Sequence, residues 1–279
     1  GIETVALVLS TLHLGRPHRF YRAFNNLRYS PVSREVAGIA VFYNMLGGYT
    51  LFTALSGAFG WLPAGWVEAL AAFFGWGAAL AGPAALYFMS RIYRIPARPF
   101  WNHWQVTTSF FGTMLTLGAL LVALPYGWAM WAQAEPSAAP LSGLAACVVL
   151  GLALEGVGLV FHVRDLVQGG GEGAAAHYLQ RTDFGHTWQA RNAGLIVGGL
   201  GALALMLSGA RGLDGMLAWS LLAGVVVATA LVGRALFYVL VVPTTMPGAF
   251  FWRNPGFQEH ARETGLADLP QVGVAPATH

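Results

Sequence analysis

Apolar residues run through this chain in seven stretches, and polar residues are gathered in the short connections between them. Six stretches are long, at 35–58, 67–90, 106–131, 141–163, 189–209 and 214–241, and a seventh, 1–12, is shorter. Each long stretch comes close to or exceeds the roughly 20 residues that carry a helix across the hydrocarbon of a bilayer. Hydrocarbon offers no hydrogen bonds, so every backbone N–H and C=O must be satisfied within the helices or inside the bundle. The pattern predicts an all-α protein: a polytopic transmembrane helical bundle over 1–248 and a C-terminal tail over 249–279. The first stretch, GIETVALVLSTL, is only about three helical turns. It opens on Gly rather than Met, so an N-terminal part before it, and eight helices in the whole protein, are expected.

Composition agrees. With 56% hydrophobic and 10% charged residues and a mean hydropathy of +0.56, the chain lacks the polar surface a water-soluble domain of this size needs. The single cysteine, Cys147, lies inside an apolar run. Alone it closes no disulfide within the chain and holds no iron–sulfur cluster or structural zinc.

All fifteen basic residues are Arg, and they alternate in placement. The first connection carries Arg16, Arg19, Arg22, Arg28 and Arg34, the third Arg91, Arg94 and Arg98, and the fifth Arg164 and Arg181 with Arg191 close by. The intervening connections are nearly bare. By the positive-inside rule the arginine-bearing connections and the tail are cytoplasmic. These arginines serve topology and anionic lipid, or a partner. In RIYRIPARPFWNHW (91–104) they are interleaved with aromatics and prolines, which favours a rigid surface for a soluble partner. Arg22, Arg28, Arg94, Arg98 and Trp101 are the docking candidates. Nothing in the sequence points to nucleic acid.

Ionisable groups at membrane depth cost roughly 2.5–3.5 kcal/mol each on insertion scales and tend to face an interior site. Glu35 opens the second stretch after Ser33 and Arg34, where a carboxylate favours the helix dipole and Ser33 is placed to cap. His13 ends the preceding stretch at the same level, and the two are placed to meet across the helix pair. A histidine and a carboxylate beside a lipid-accessible cleft suit a quinone, whose carbonyls need donors and whose reduction moves protons. Arg16, His103 and Trp104 are the further candidates for that site. Glu155 and His162 lie two turns apart on one helix face, with Asp165 beyond them, and form a candidate proton path. The plainer reading of Glu155 is one interhelical hydrogen bond, and Arg234 is a candidate partner for its carboxylate. His162 alone among the histidines sits in a long stretch, so no pair is positioned to hold a haem and none is expected.

HLGRP (13–17), RAFNNLR (22–28), SREVAGIAVF (33–42), SRIYRIPARPFWN (90–102) and GRALFY (233–238) together resemble the membrane anchor subunits of the dimethyl sulfoxide reductase-type molybdenum oxidoreductases. The resemblance covers most of the chain. It implies a haem-free anchor in the bacterial cytoplasmic (inner) membrane, with His13 and Glu35 associated with menaquinol or another quinone such as ubiquinone. It also implies two partners on the arginine face: a subunit with iron–sulfur clusters, and a catalytic subunit with bis-molybdopterin guanine dinucleotide. The anchor would then host the quinone half-reaction without catalysing the molybdenum chemistry. A lysine of the family's first helix has no counterpart in this sequence. The tail PGAFFWRNPGFQEHARETGL (247–266) looks like that of the anchor of cytoplasmic sulfite dehydrogenase, which implies sulfite oxidation in the partner. Phenylacetyl-CoA oxidation and dimethyl sulfoxide reduction are the alternative systems. A different class also fits the lack of cofactor ligands: a lipid-binding scaffold, or a transporter. Gly82-Pro83, inside a long stretch, is a candidate helix break of the kind transport uses.

Overall fold

The computed structural model describes residues 1–12, 17–63, 65–96, 98–134, 138–169, 171–209, 212–241 and 255–265. His13 and Arg16 of the candidate quinone site lie outside them, as do residues 247–254 and 266 of the tail block. The regular elements among the described residues are all helices, with no strand. Six helices are long and apolar enough to cross a membrane, and the protein is a multi-pass membrane protein. The chain divides into two compact units, Gly1–Ile92 and Tyr93–His279.

The first unit holds α1 (Ile2–Leu12), a 3-10 segment (Pro17–Phe24), α2 (Pro31–Ala54) and most of α3 (Trp66–Tyr93). The start of α2 differs from the sequence expectation. Pro31 takes the first helical position, and the Ser30 hydroxyl accepts from the Ser33 N–H at 3.2 Å, so Ser30 is the cap and Ser33 the capped donor. Glu35 therefore sits in the second turn. Arg34 turns back, and its guanidinium donates to the carbonyls of Leu27 and Arg28. Helices α2 and α3 approach through small residues, since a Cβ on Gly38 would lie 3.0 Å from the Ala85 Cα. Helix α3 runs unbroken through Pro83, with the Phe42 ring beside Gly82. The candidate break is absent, and with it the one feature that pointed to transport.

The second unit is a four-helix ring of α4 (Gln105–Ala132), α5 (Ala138–Gly169), α7 (Gly185–Ser208) and α8 (Gly212–Val239), in which α4 packs on α5 and α8, and α7 on the same two. Its core is Leu120, Val148, Met216, Trp219 and Val226 among smaller residues. Helix α5 continues six residues beyond the predicted apolar stretch and ends at Gly169, where a glycine run begins, so Asp165 is helical. A short helix the hydropathy did not reveal, α6 (Gly171–Arg181), closes the end of α5 and α8 through Ala176, Leu166, Leu236 and Leu240. A further helix, α9 (Pro255–Glu263), lies in the tail.

Glycines set how close α4 and α5 come. A Cβ on Gly112 would stand 2.6 Å from the Gly151 carbonyl oxygen, and one on Gly151 the same distance from that of Gly112. Such backbone approach is how membrane helices gain packing without a hydrophobic drive between them. Gly151→Ala should therefore lower stability by about 1–3 kcal/mol, whereas Gly143→Ala, which meets open space, should not. Thermal unfolding of the two variants in one detergent checks this, and equal melting temperatures would contradict the contact.

Candidate functional site

Helix α5 supplies the first side chains. Glu155 and His162, two turns apart, are both buried, at 7% and 3% exposure. Helix α7 brings Arg191, buried at 5%, helix α8 brings Arg234, α6 brings Gln180, and α4 faces them with Gln105, Ser109 and Thr113. These groups line one cavity, walled on its apolar side by Phe100, Leu159 and Phe237. Five helices thus contribute to a polar centre inside an apolar bundle.

Its members are not paired off. Among the described residues Glu155 makes no side-chain hydrogen bond, and neither guanidinium stands within ion-pair distance of it. Arg191 Nε donates to Asn192 Oδ1 at 2.9 Å, and Arg234 lies over the Phe110 ring, 4.1 Å from its centre. Gln180 Nε2 is buried without a partner. The interhelical hydrogen bond expected of Glu155 is absent, and so is the Glu155–Arg234 pair. Beside Glu155 stands Gly233 of α8, where a Cβ would be 3.7 Å from Glu155 Oε1 and 3.9 Å from Arg191 Cγ.

At the end of α5 the geometry fixes two histidines. The Gln105 backbone N–H donates to His103 Nδ1 at 3.0 Å, so the neutral ring carries its proton on Nε2 and donates it to Asp165 Oδ2 at 2.9 Å. His162 donates from Nε2 to the Phe100 carbonyl at 2.8 Å, which leaves Nδ1 as an acceptor. The two rings are 5.2 Å apart. Burial moves the His103 pKa below the ordinary histidine value; the Asp165 hydrogen bond and charge oppose this, and Arg94 adds to it. His177 on α6 is lowered too, by burial and then by Arg181.

Residues 2–240 match the family described as DMSO reductase anchor subunit (DmsC). The chain belongs to this anchor family. The C subunit of the anaerobic dimethyl sulfoxide reductase of Haemophilus influenzae is 30% identical over 117 residues, 42% of this chain and 39% of the relative. The YnfH subunit of an anaerobic dimethyl sulfoxide reductase of Escherichia coli is 29% identical over 119 residues, 43% of this chain and 39% of that one. The matched part spans about two fifths of the length of these curated relatives. No solved structure matches the chain.

Within this anchor-family protein, the sequence candidates fall as follows. Asp165, His162 and Glu155 come together along α5, joined by His103, which the sequence had grouped with the quinone residues. Trp104 packs on Phe161. Trp101, grouped with the docking arginines, donates to the Phe237 carbonyl at 2.7 Å and stacks on that ring, and so braces the bundle. Arg22 and Arg28 are exposed, Arg28 beside its neighbour Tyr29, while Arg94 and Arg98 are half-buried. Glu35 is half-buried and forms no hydrogen bond among the described residues. Among the described residues no three His, Cys, Asp or Glu side chains converge to hold a metal ion. Arg191 and Gln180 were missed. Arg191 read as the margin of an arginine-bearing connection, and only its place in the first turns of a helix that α5 and α8 enclose reveals it as interior. Gln180 had no signal without α6.

The shifts carry a sign. An unfolded histidine protonates near pH 6.5, whereas folded His103 and His177 do so only at lower pH. Below about pH 6.5 the unfolded chain binds more protons, so stability is whole above that value and declines as the pH falls through the lower folded values. Melting temperatures measured from about pH 8 to pH 5 should fall on the acid side, and His103→Gln should flatten part of the fall. A wild-type curve level down to pH 5 would contradict the assignment.

Proposed function

We propose that this chain is the anchor through which a molybdenum enzyme with iron–sulfur clusters exchanges electrons with membrane quinone. The match to the anchor family over residues 2–240 carries the reading. The positive-inside rule puts the arginine-bearing connections in the cytoplasm, and the partner subunits dock there, on the exposed Arg22 and Arg28 first. The quinone headgroup is held by His13, Arg16 and Glu35, whose carboxylate forms no hydrogen bond among the described residues.

Helix register supports that grouping. Thr4 Oγ1 and Tyr43 OH are 3.1 Å apart, one contact between α1 and α2. If α1 and α2 run antiparallel, eight residues forward from Thr4 and eight back from Tyr43 bring Leu12 level with Glu35. Quinone reduction there takes up two protons with two electrons, and quinol oxidation releases them. The tail resemblance makes sulfite the favoured substrate of the catalytic partner.

Two outcomes are expected. In the complex purified from membranes, His13→Ala and Glu35→Gln should each cut quinone-linked turnover at least about 100-fold. Turnover with a soluble dye that takes electrons directly from the partner subunits should stay unchanged. Wild-type quinone turnover in both variants would remove the site. Arg22→Glu with Arg28→Glu should release the partner subunits at a lower salt concentration than wild type, as read by copurification. The copurifying polypeptides themselves test the class, for a complex without a molybdenum subunit would sink the reading, and turnover on sulfite, phenylacetyl-CoA and dimethyl sulfoxide separates the substrates.

A further inference from the structure

The GRALFY segment has no part in the quinone proposal, yet it builds the cavity of the second unit. Gly233, Arg234, Leu236 and Phe237 all line it. The space beside Gly233 borders Glu155 Oε1 and the Arg191 side-chain stem, and the two residues form no ion pair. Glu155 and Arg191 are each more than nine-tenths buried, and Gln180 presents an unpartnered Nε2 to the same space. Buried polar groups go unpaired only where water or a ligand completes them. The cavity supplies donors in Arg191, Arg234 and Gln180 and acceptors in Glu155 and the free Nδ1 of His162, which is the lining that ordered water requires.

We propose that this cavity is a proton-loading site, in which Glu155 exchanges a proton through bound water with the end of the bundle where His162 and Asp165 lie. His162 accepts a proton on Nδ1 while Nε2 keeps its bond to the Phe100 carbonyl. It passes that proton from Nδ1 to a cavity water, which gives one of its own to the Glu155 carboxylate. One proton enters and the carboxylate becomes a carboxylic acid; no electron moves. His103 is not a carrier, since both of its nitrogens are engaged, and acts as a positioning residue that holds Asp165 and stacks on His162. The charged groups facing Glu155 are His162 of its own helix, Arg191 of α7 and Arg234 of α8. Helix α4 offers only the uncharged Gln105, Ser109 and Thr113, and α6 only Gln180. Arg191 and Arg234 are thus the two guanidinium groups that share the cavity with Glu155. The proposal rests on the reading of this chain as part of a proton-coupled quinone enzyme, but its readout needs no quinone turnover.

Infrared difference spectra of the purified complex across a pH titration test this. Wild type should show a carboxylic C=O band that grows as the pH falls and shifts in D2O. Glu155→Gln should lose that band entirely, and Glu155→Asp should restore one at a displaced frequency. Gly233→Ala, whose added methyl enters the cavity at ordinary contact distance from Glu155 and leaves the carboxyl in place, should slow the D2O shift at least about tenfold. His162→Gln, which keeps a donor for Phe100, should do the same. Titration spectra that are identical in wild type and Glu155→Gln overturn the proposal. So does a band that Glu155→Gln removes but that neither titrates nor exchanges, since Glu155 would then be a fixed acid. Loss of quinone turnover in His13→Ala with the Glu155 band intact separates the two proposals.

Discussion

Hydrocarbon solvates neither charges nor unpaired hydrogen-bonding groups, and the second unit is organised by that constraint. Glu155, His162 and Arg191 cannot face lipid, so the helices that carry them must enclose them. Enclosure needs close helices. Gly112 against Gly151 gives it between α4 and α5, Gly158 lies against the Thr108 side chain, and Gly194 lies against Thr229 between α7 and α8. Each of these contacts gives up side-chain volume for proximity, and the polar centre sits at the same end of the bundle. Thr108 and Thr229 satisfy their hydroxyls on carbonyls of their own helices, Gln105 and Val225, so the close contacts leave no hydroxyl unsatisfied.

Above the polar centre the structure shifts from small residues to rings. Trp101 stacks on Phe237 while Tyr93 meets Trp101, Phe110, Phe237 and Tyr238, and Arg234 lies on the Phe110 face. A guanidinium on an aromatic face is held without a carboxylate. That is why Arg234 can stand beside Glu155 and not pair with it. The same rings anchor the segment that carries His103, whose tautomer is then fixed by one backbone N–H, and α6 packs down beside them.

The spans were legible because crossing a bilayer demands a length and a hydropathy that no other fold element shares. The six long helices fall within a few residues of the apolar runs. Their ends were less legible, because hydropathy does not see caps. Ser30, and not Ser33, starts α2 because Pro31 suits the first helical position, and α5 continues past its apolar stretch because no breaker occurs before Gly169. The site was legible where spacing alone decides, as for Glu155 and His162 two turns apart. It was hidden where a residue's partner lies on another helix: the burial of Arg191 depends on α5 and α8, and the contribution of Gln180 on an amphipathic helix too short to stand out.

The distance kept between Glu155 and Arg191 is the feature that a purely structural role explains least well. A direct buried pair would recover part of the desolvation cost of both groups, and breaking such a pair by removing one partner costs several kcal/mol, about 3–5. A side chain at 233 reaching into the gap, or a rotation of α7 bringing Arg191 closer, would be the straightforward route to a finished core. In this protein Gly233 leaves the gap open, Asn192 takes Arg191 Nε away from it, and Phe110 holds Arg234 aside. Three separate helices contribute to keeping one carboxylate without a permanent partner. A carboxylate locked in an ion pair has a fixed charge, whereas one that faces water beside two restrained cations has a charge that can change. The arrangement gives up static stability in a medium where that loss is large, and what it retains is a group free to bind and release a proton.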